Sequence, residues 1–145
     1  MNILDTSGLD YMSKASRTTN AEVFLTPDIR EEYEAEYETK LPDNFHDIFE
    51  TEFVDKAEFI KSYKAMLNKH GGRSFYNMTG FGDISILALL AERKVAALST
   101  LLPPEEIIVV TGDDGLIKRI RREFPTDNSA FGAHITVVSP ETFFA

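Results

Sequence analysis

Two kinds of pattern share this chain. Short apolar runs occur at Asn2 to Leu4, Glu22 to Leu25, Glu106 to Thr111 and Ile135 to Val138. They have the length of buried strands, and Ile107-Ile108-Val109-Val110 has the β-branched character of a central parallel one. Asp5-Thr6-Ser7-Gly8 reads as a loop after the first run. Between the runs the period changes to that of a helix. Thr26 suits an N-cap and Pro27 the first helical position, and Ile29, Tyr33 and Tyr37 follow at i, i+4 spacing until Leu41-Pro42-Asp43-Asn44 ends the pattern. Phe45 to Lys69 is expected to be one amphipathic helix, carrying Phe49, Phe53, Phe59, Ile60, Tyr63 and Leu67 and stopped by His70-Gly71-Gly72. Residues 71 to 82 hold four of the eight glycines and predict a loop, with at most a short strand around Ser74 to Tyr76. Ile84 to Leu101 is the strongest helix, with Ile84, Leu87, Ala88, Ala91 and Val95 on one stripe and Ile86 and Leu90 beside it. Gly112 to Phe124 predicts a further helix. Strands alternating with helices argue an α/β sandwich on a largely parallel sheet.

Composition narrows the setting. With 145 residues, 43% of them hydrophobic, the chain can bury about 70% of its unfolded surface and needs no staple, so a single domain over residues 1–145 is expected. The longest apolar stretch, Ile86 to Ala91, is far too short to span a bilayer, and no secretory leader is visible, so a soluble cytoplasmic protein with no membrane partner is expected. The absence of cysteine excludes disulfides and thiolate zinc sites. The net charge of −9 argues at first against nucleic acid, but it is unevenly spread. Residues 22 to 58 contain 13 acids and 3 bases, leaving 11 acids and 12 bases elsewhere, so a nucleic-acid partner stays open.

Acids count for most at the carboxyl ends of parallel strands, where α/β sheets bind their ligands. Asp5 ends the first run, and Asp113 and Asp114 follow Thr111; the ordinary alternative for each is a helix N-cap or turn. Asp83 falls on or beside the face of its helix expected to be buried, where a carboxylate needs a counter-charge unless it too is a cap. Glu32 lies at the edge of the Ile29–Tyr33 stripe. Glu36 rivals it but lies roughly 6 Å farther from the strand ends, at about 1.5 Å rise per residue. Four carboxylates without cysteine specify oxygen ligation, the preference of Mg²⁺ and Mn²⁺. His46, His70 and His134 are not ligand-spaced and read as surface or structural residues. Gly80-Phe81-Gly82 lacks the rest of a phosphate-loop fingerprint and reads as a turn.

Four segments together resemble the motifs of PIN-domain nucleases, in that family's order. They are Ile3-Leu4-Asp5-Thr6-Ser7-Gly8-Leu9, Thr26-Pro27-Asp28-Ile29-Arg30-Glu31-Glu32, Gly82-Asp83-Ile84-Ser85-Ile86-Leu87-Ala88-Leu89 and Val110-Thr111-Gly112-Asp113. The resemblance implies a three-layer α/β/α sandwich with a mainly parallel sheet of four to five strands. It also implies an acidic pocket for Mg²⁺ or Mn²⁺ that hydrolyses RNA to 5′-phosphate and 3′-hydroxyl ends. Asp5, Glu32, Asp83 and Asp113 would be the acidic quartet, Asp5, Asp83, Asp113 and Asp114 the metal ligands, and Ser7 and Thr111 hydroxyls bonded within the site. The Thr-x-Asp spacing favours Asp113 over its neighbour. Small proteins of this family include VapC-type toxins, so an antitoxin protein or a second copy of the chain enters as a partner; RNA processing, or a non-catalytic RNA- or protein-binding module, is the alternative. A response-regulator receiver needs paired acids after the first strand and a lysine after the last, and a haloacid-dehalogenase phosphatase needs Asp-x-Asp; Asp5-Thr6-Ser7 and Val138-Ser139 supply neither.

RNA held by an acidic protein needs a basic surface. Leu116, Ile117, Ile120 and Phe124 are spaced to bury one side of their helix, which leaves Lys118, Arg121 and Arg122 together on the other. An ordinary solvated face is the alternative, with Lys61, Lys64 and Arg73 as the other route for the RNA.

Overall fold

The computed structural model describes residues 1–37, 40–51, 54–74, 80–98, 105–125 and 133–145. Five strands form its sheet: β1 (Asn2–Leu4), β2 (Val23–Leu25), β3 (Phe45–Asp47), β4 (Glu105–Val110) and β5 (Ala133–Val138). All neighbours are parallel, in the order β3-β2-β1-β4-β5. Ile3 and Leu4 of β1 and Ile107, Val109 and Val110 of β4 are fully buried, as expected of central parallel strands covered on both sides.

Helices α1 (Thr6–Lys14) and α2 (Pro27–Tyr37) carry the chain from β1 to β3 in one direction along the sheet. Helices α3 (Lys56–Ser74), α4 (Phe81–Leu98) and α5 (Asp114–Glu123) carry it in the other. Right-handed crossovers put the two sets on opposite faces. Within each set the packing agrees: α1 lies on α2 and on the short α6 (Pro140–Phe143), while α3 runs along α4 and is tied to α5 by His70 Nε2 and Glu123 Oε1 at 3.0 Å; α2 and α4 also meet one another. The three-layer sandwich is therefore present, with five strands.

Three elements differ from expectation. The stretch after Asp5 is a helix and not a loop. Asp5 caps it by accepting from the Gly8 N–H, and Leu9 and Met12 are buried beneath it. Gly8 suits this helix, because a Cβ there would stand 3.1 Å from the Val110 carbonyl oxygen, tighter than ordinary contact. Phe45 to Lys69 is not one helix. Its first three residues pair with β2 as the edge strand β3, a 3₁₀ turn follows over Ile48–Glu50, and only then does α3 begin. The Asn44 side chain donates to the carbonyls of Thr19 and Ala21 and sets that strand in place. Gly71 and Gly72 do not stop α3, which runs on to Ser74; packing along α4 outweighs the roughly 1 kcal/mol cost of each glycine in a helix. The expected strand at 74 to 76 falls mostly outside the described residues, as do Phe53 and the last residues expected of the 84–101 helix.

Helix α4 is buried on every side from Ile84 to Leu90, wider than its predicted stripe. Farther along the prediction fails: Val95, placed on that stripe, is 48% exposed and Leu98 68%. The buried Glu92–Arg93 pair anchors this end, Glu92 accepting from the Asp55 N–H at 3.1 Å and Arg93 reaching Glu105 at 3.5 Å.

Candidate functional site

Strand order reverses direction at β1. The chain proceeds to β2 and β3 on one side, then returns to β4 on the other, so a crevice opens beyond the carboxyl ends of β1 and β4. Asp5 follows β1 there, and Thr111, Gly112 and Asp113 follow β4. The hydrogen-bond ladder continues into the crevice through Asp5 N to Val110 O (3.3 Å) and Thr111 N to Val138 O (3.1 Å).

Asp5 is only 2% exposed. Its Oδ1 accepts from Ser7 Oγ at 2.6 Å and from the Gly8 N–H at 2.8 Å, while Oδ2 accepts from the Thr111 hydroxyl. Ser7 Oγ in turn accepts from the Gly112 N–H at 2.8 Å, and Thr111 Oγ1 from the Asp113 N–H at 3.0 Å. The two hydroxyls thus stitch the β1 end to the β4 end. Asp113 is exposed and caps α5, its Oδ1 accepting from Gly115 and Leu116. The cap reading, set beside the functional one for Asp5 and Asp113, is therefore true of both, and it fixes where their carboxylates sit.

Glu32 and Asp83 come from helices beyond the sheet. Thr26 at the end of β2 bonds Ser85 at 2.6 Å, and Ser85 donates to the Gly82 carbonyl, which seats the first turn of α4 over the crevice. Gly80-Phe81-Gly82 is consequently not a simple turn, since Phe81 and Gly82 open α4. The approach to α2 is tight. A Cβ on Gly82 would lie 2.5 Å from Ile29 Cδ1 and 3.0 and 3.2 Å from the two Glu32 oxygens, and one on Gly80 would lie 3.2 Å from Glu32 Oε1. Glu32 thus rests against the amino end of α4, where partial positive charge favours an anion, and accepts from Thr6 Oγ1 at 2.6 Å. Glu36, one turn away, is exposed, as Glu32 itself is.

The four acids feel one another. Burial raises Asp83, Asp113 and Asp5 raise it further, Arg119 opposes them and Glu32 adds to them, leaving the carboxyl at about 7. Burial also raises Asp5 despite its three donors, with Asp113 contributing. Asp114 is exposed in the first turn of α5. In kind, these donors fit a hard divalent cation: every one is oxygen, and their charges raise one another against the opposing Arg119. In placement they do not yet form a cage, for among the described residues no group of three or more His, Asp or Glu is set to hold a metal ion. Asp5 has its oxygens committed to the fold and Glu32 leans on Thr6, so a metal would have to draw the carboxylates inward.

Sequence reasoning missed Arg119. Between Lys118 and Arg121 it passes for one more solvated base, but it sits one turn after Gly115, on the side of α5 that returns to the crevice. Its i+4 relation to that glycine, just past the cap, was the available signal. Lys118, Arg121 and Arg122 are exposed, with Leu116 and Ile120 buried opposite and Ile117 and Phe124 half-buried. Lys61 and Lys64 are exposed on α3, and the Arg73 side chain lies outside the described residues. Each histidine meets a glutamate: His46 with Glu22, His70 with Glu123 and His134 with Glu106. A separate cleft of about 270 Å³ near β3 includes Arg30, Asp47 and His46, but Arg30 is paired with Glu34 and Asp47 there.

Among the described residues no helix is long and apolar enough to cross a membrane. No family model, curated protein or solved structure matches this chain.

Proposed function

We propose that this chain is a Mg²⁺- or Mn²⁺-dependent endoribonuclease of the PIN type, with Asp5, Glu32, Asp83 and Asp113 as its acidic quartet. The observation that carries this reading is the convergence of acids from four separate places, the ends of β1 and β4 and the helices α2 and α4, where burial first and then the charges of Asp113, Asp5 and Glu32 raise the Asp83 carboxyl to about 7. A fold has little reason to gather carboxylates at its ligand-binding edge unless a cation or a reaction uses them.

Asp5, Asp83 and Asp113 would hold the ion, with Asp114 as an accessory oxygen. A divalent cation in such a site offsets the phosphate charge and makes water a better nucleophile near neutral pH. The chain's own groups do the rest. Ser7 and Thr111 fix the orientation of Asp5, so its buried carboxylate does not swing away. Asp83, once deprotonated, adds the negative charge that ion binding requires, and Glu32 approaches from α2 to accept a proton from the attacking water. Lys118, Arg121 and Arg122 offer the RNA backbone an exposed basic face beside this edge. A toxin partnered by an antitoxin is the biological setting proposed, with RNA processing the alternative.

A second reading is a PIN-like module that binds RNA or protein without cutting. It draws on the use of Asp5 and Asp113 as helix caps and on the lack of a ready metal cage among the described residues. Incubation of end-labelled structured RNAs in Mg²⁺, Mn²⁺ or EDTA separates the two. Wild type should cut in either metal, leaving 5′-phosphates, and should stop in EDTA; Asp83→Asn should be folded and inactive. Cleavage that persists in EDTA or in Asp83→Asn overturns the metal-nuclease reading, and binding without cleavage establishes the second one.

A further inference from the structure

Arg119 brings a positive charge to bear on the acidic site. Arg119 Nη1 lies 3.3 Å from the point that a Cβ on Gly115 would occupy, and that same point is 3.1 Å from Asp113 Oδ1. The guanidinium is therefore folded back over the first turn of α5, toward Asp113, in space left by a glycine. Its charge also favours the ionised form of Asp83 on α4, so the guanidinium lies within electrostatic reach of that acid as well. Lys118, Arg121 and Arg122 on the same helix point to solvent, whereas Arg119 is half-buried.

We propose that Arg119 holds the phosphate of the bound strand at the cleavage position, its guanidinium engaging the non-bridging oxygens while it stays beside Asp83 and Asp113. This rests on the nuclease reading for the identity of the substrate. The chemistry favours arginine. A phosphodiester entering a group of four carboxylates needs a fixed positive partner on the protein, and a planar guanidinium with five N–H donors can serve an acid on one edge and a phosphate on the other. A lysine would present a point charge without that fork. Alignment on Arg119 would set the phosphate against the carboxylates, while the outer bases hold the flanking backbone.

The test compares wild type, Arg119→Gln and Arg119→Lys. Binding of a short labelled single-stranded oligouridylate is followed by anisotropy in Ca²⁺ over a range of KCl, and kcat and KM for the same RNA are measured in Mn²⁺. Arg119→Gln should bind about tenfold or more weakly and its log–log salt slope should fall by about 0.7, the share of one phosphate in a single strand. Arg119→Lys should recover the slope but only part of the affinity. Wild-type affinity and slope in Arg119→Gln overturn the assignment, including the case where its melting temperature falls, since that marks a residue that only neutralises its acidic neighbours. Wild type that binds through Arg119 but never cleaves upholds the assignment and overturns the nuclease reading; wild type that cleaves with Arg119→Gln unaltered does the reverse. Wild type that does not bind the oligonucleotide overturns the assignment as well.

Discussion

At Asp83, burial and the charges of Asp113, Asp5 and Glu32 raise the carboxyl from 3.8 to about 7, against the pull of Arg119. The folded chain thus holds this proton more tightly than the unfolded chain does. Its contribution to stability is complete below about pH 4 and is lost as the pH rises toward 7. Without divalent metal, Asp83→Asn should consequently melt at least as high as wild type near pH 7.5, and the gap between them should close or reverse as the pH falls to 4. Thermal melts of both proteins in EDTA across that interval check this. Parallel curves would mean that Asp83 is not under the strain inferred. Asp5 shows the other solution to the same problem, being raised by burial yet held by Ser7, Thr111 and Gly8.

At the scale of elements, the site depends on how closely α4 approaches α2. Glycine at 82 is the enabling residue, because Ile29, which a Cβ would strike at 2.5 Å, is fully packed. Gly82→Ala gains up to about 1 kcal/mol of helix propensity but incurs an overpacking cost of about 1–3 kcal/mol, so a net loss of about 1 kcal/mol is expected. Since the same Cβ presses on Glu32, activity should fall by more than stability alone explains. Urea denaturation and RNA cleavage of the variant measure both. A variant as stable and active as wild type would show that α4 can slide without disturbing the acids.

For the whole molecule, charge is arranged by region. Residues 22 to 58, which include α2 and β3, carry a strong negative excess, while α5 exposes Lys118, Arg121 and Arg122. RNA would then be steered by α5 and repelled from the β3 edge, the reverse of what the net charge of −9 suggests. Changing the three bases together to Gln should weaken RNA binding and flatten its salt dependence by roughly 0.7 in log–log slope for each phosphate no longer neutralised. A divalent ion that binds only the folded chain should raise the melting temperature, and the rise with Mn²⁺ should be the same in this variant as in wild type. Anisotropy titrations over a salt series provide the check, and an unchanged slope would move the RNA path to Lys61 and Lys64.

The sequence by itself determined the parts whose physics is local. Apolar runs of the right length located four strands, the 3.6 period located α2, α4 and α5, and the positions of Asp5 and Asp113 directly after strands put them at the sheet edge. β3 was not legible, because three half-buried residues become a strand only when Val23, Phe24 and Leu25 lie alongside them. α1 was hidden by Asp-Thr-Ser-Gly, which suits a turn as well as a capped helix start, until the close approach of Gly8 to Val110 is known. The extent of α3 past Gly71 and Gly72 was likewise settled by its neighbour α4. The meeting of Glu32 with the start of the Asp83 helix and the inward turn of Arg119 were decided by tertiary structure alone. Spacing along a chain gives the face of a helix, but which faces confront one another follows from strand order and helix approach, and these are fixed by packing between residues far apart in sequence.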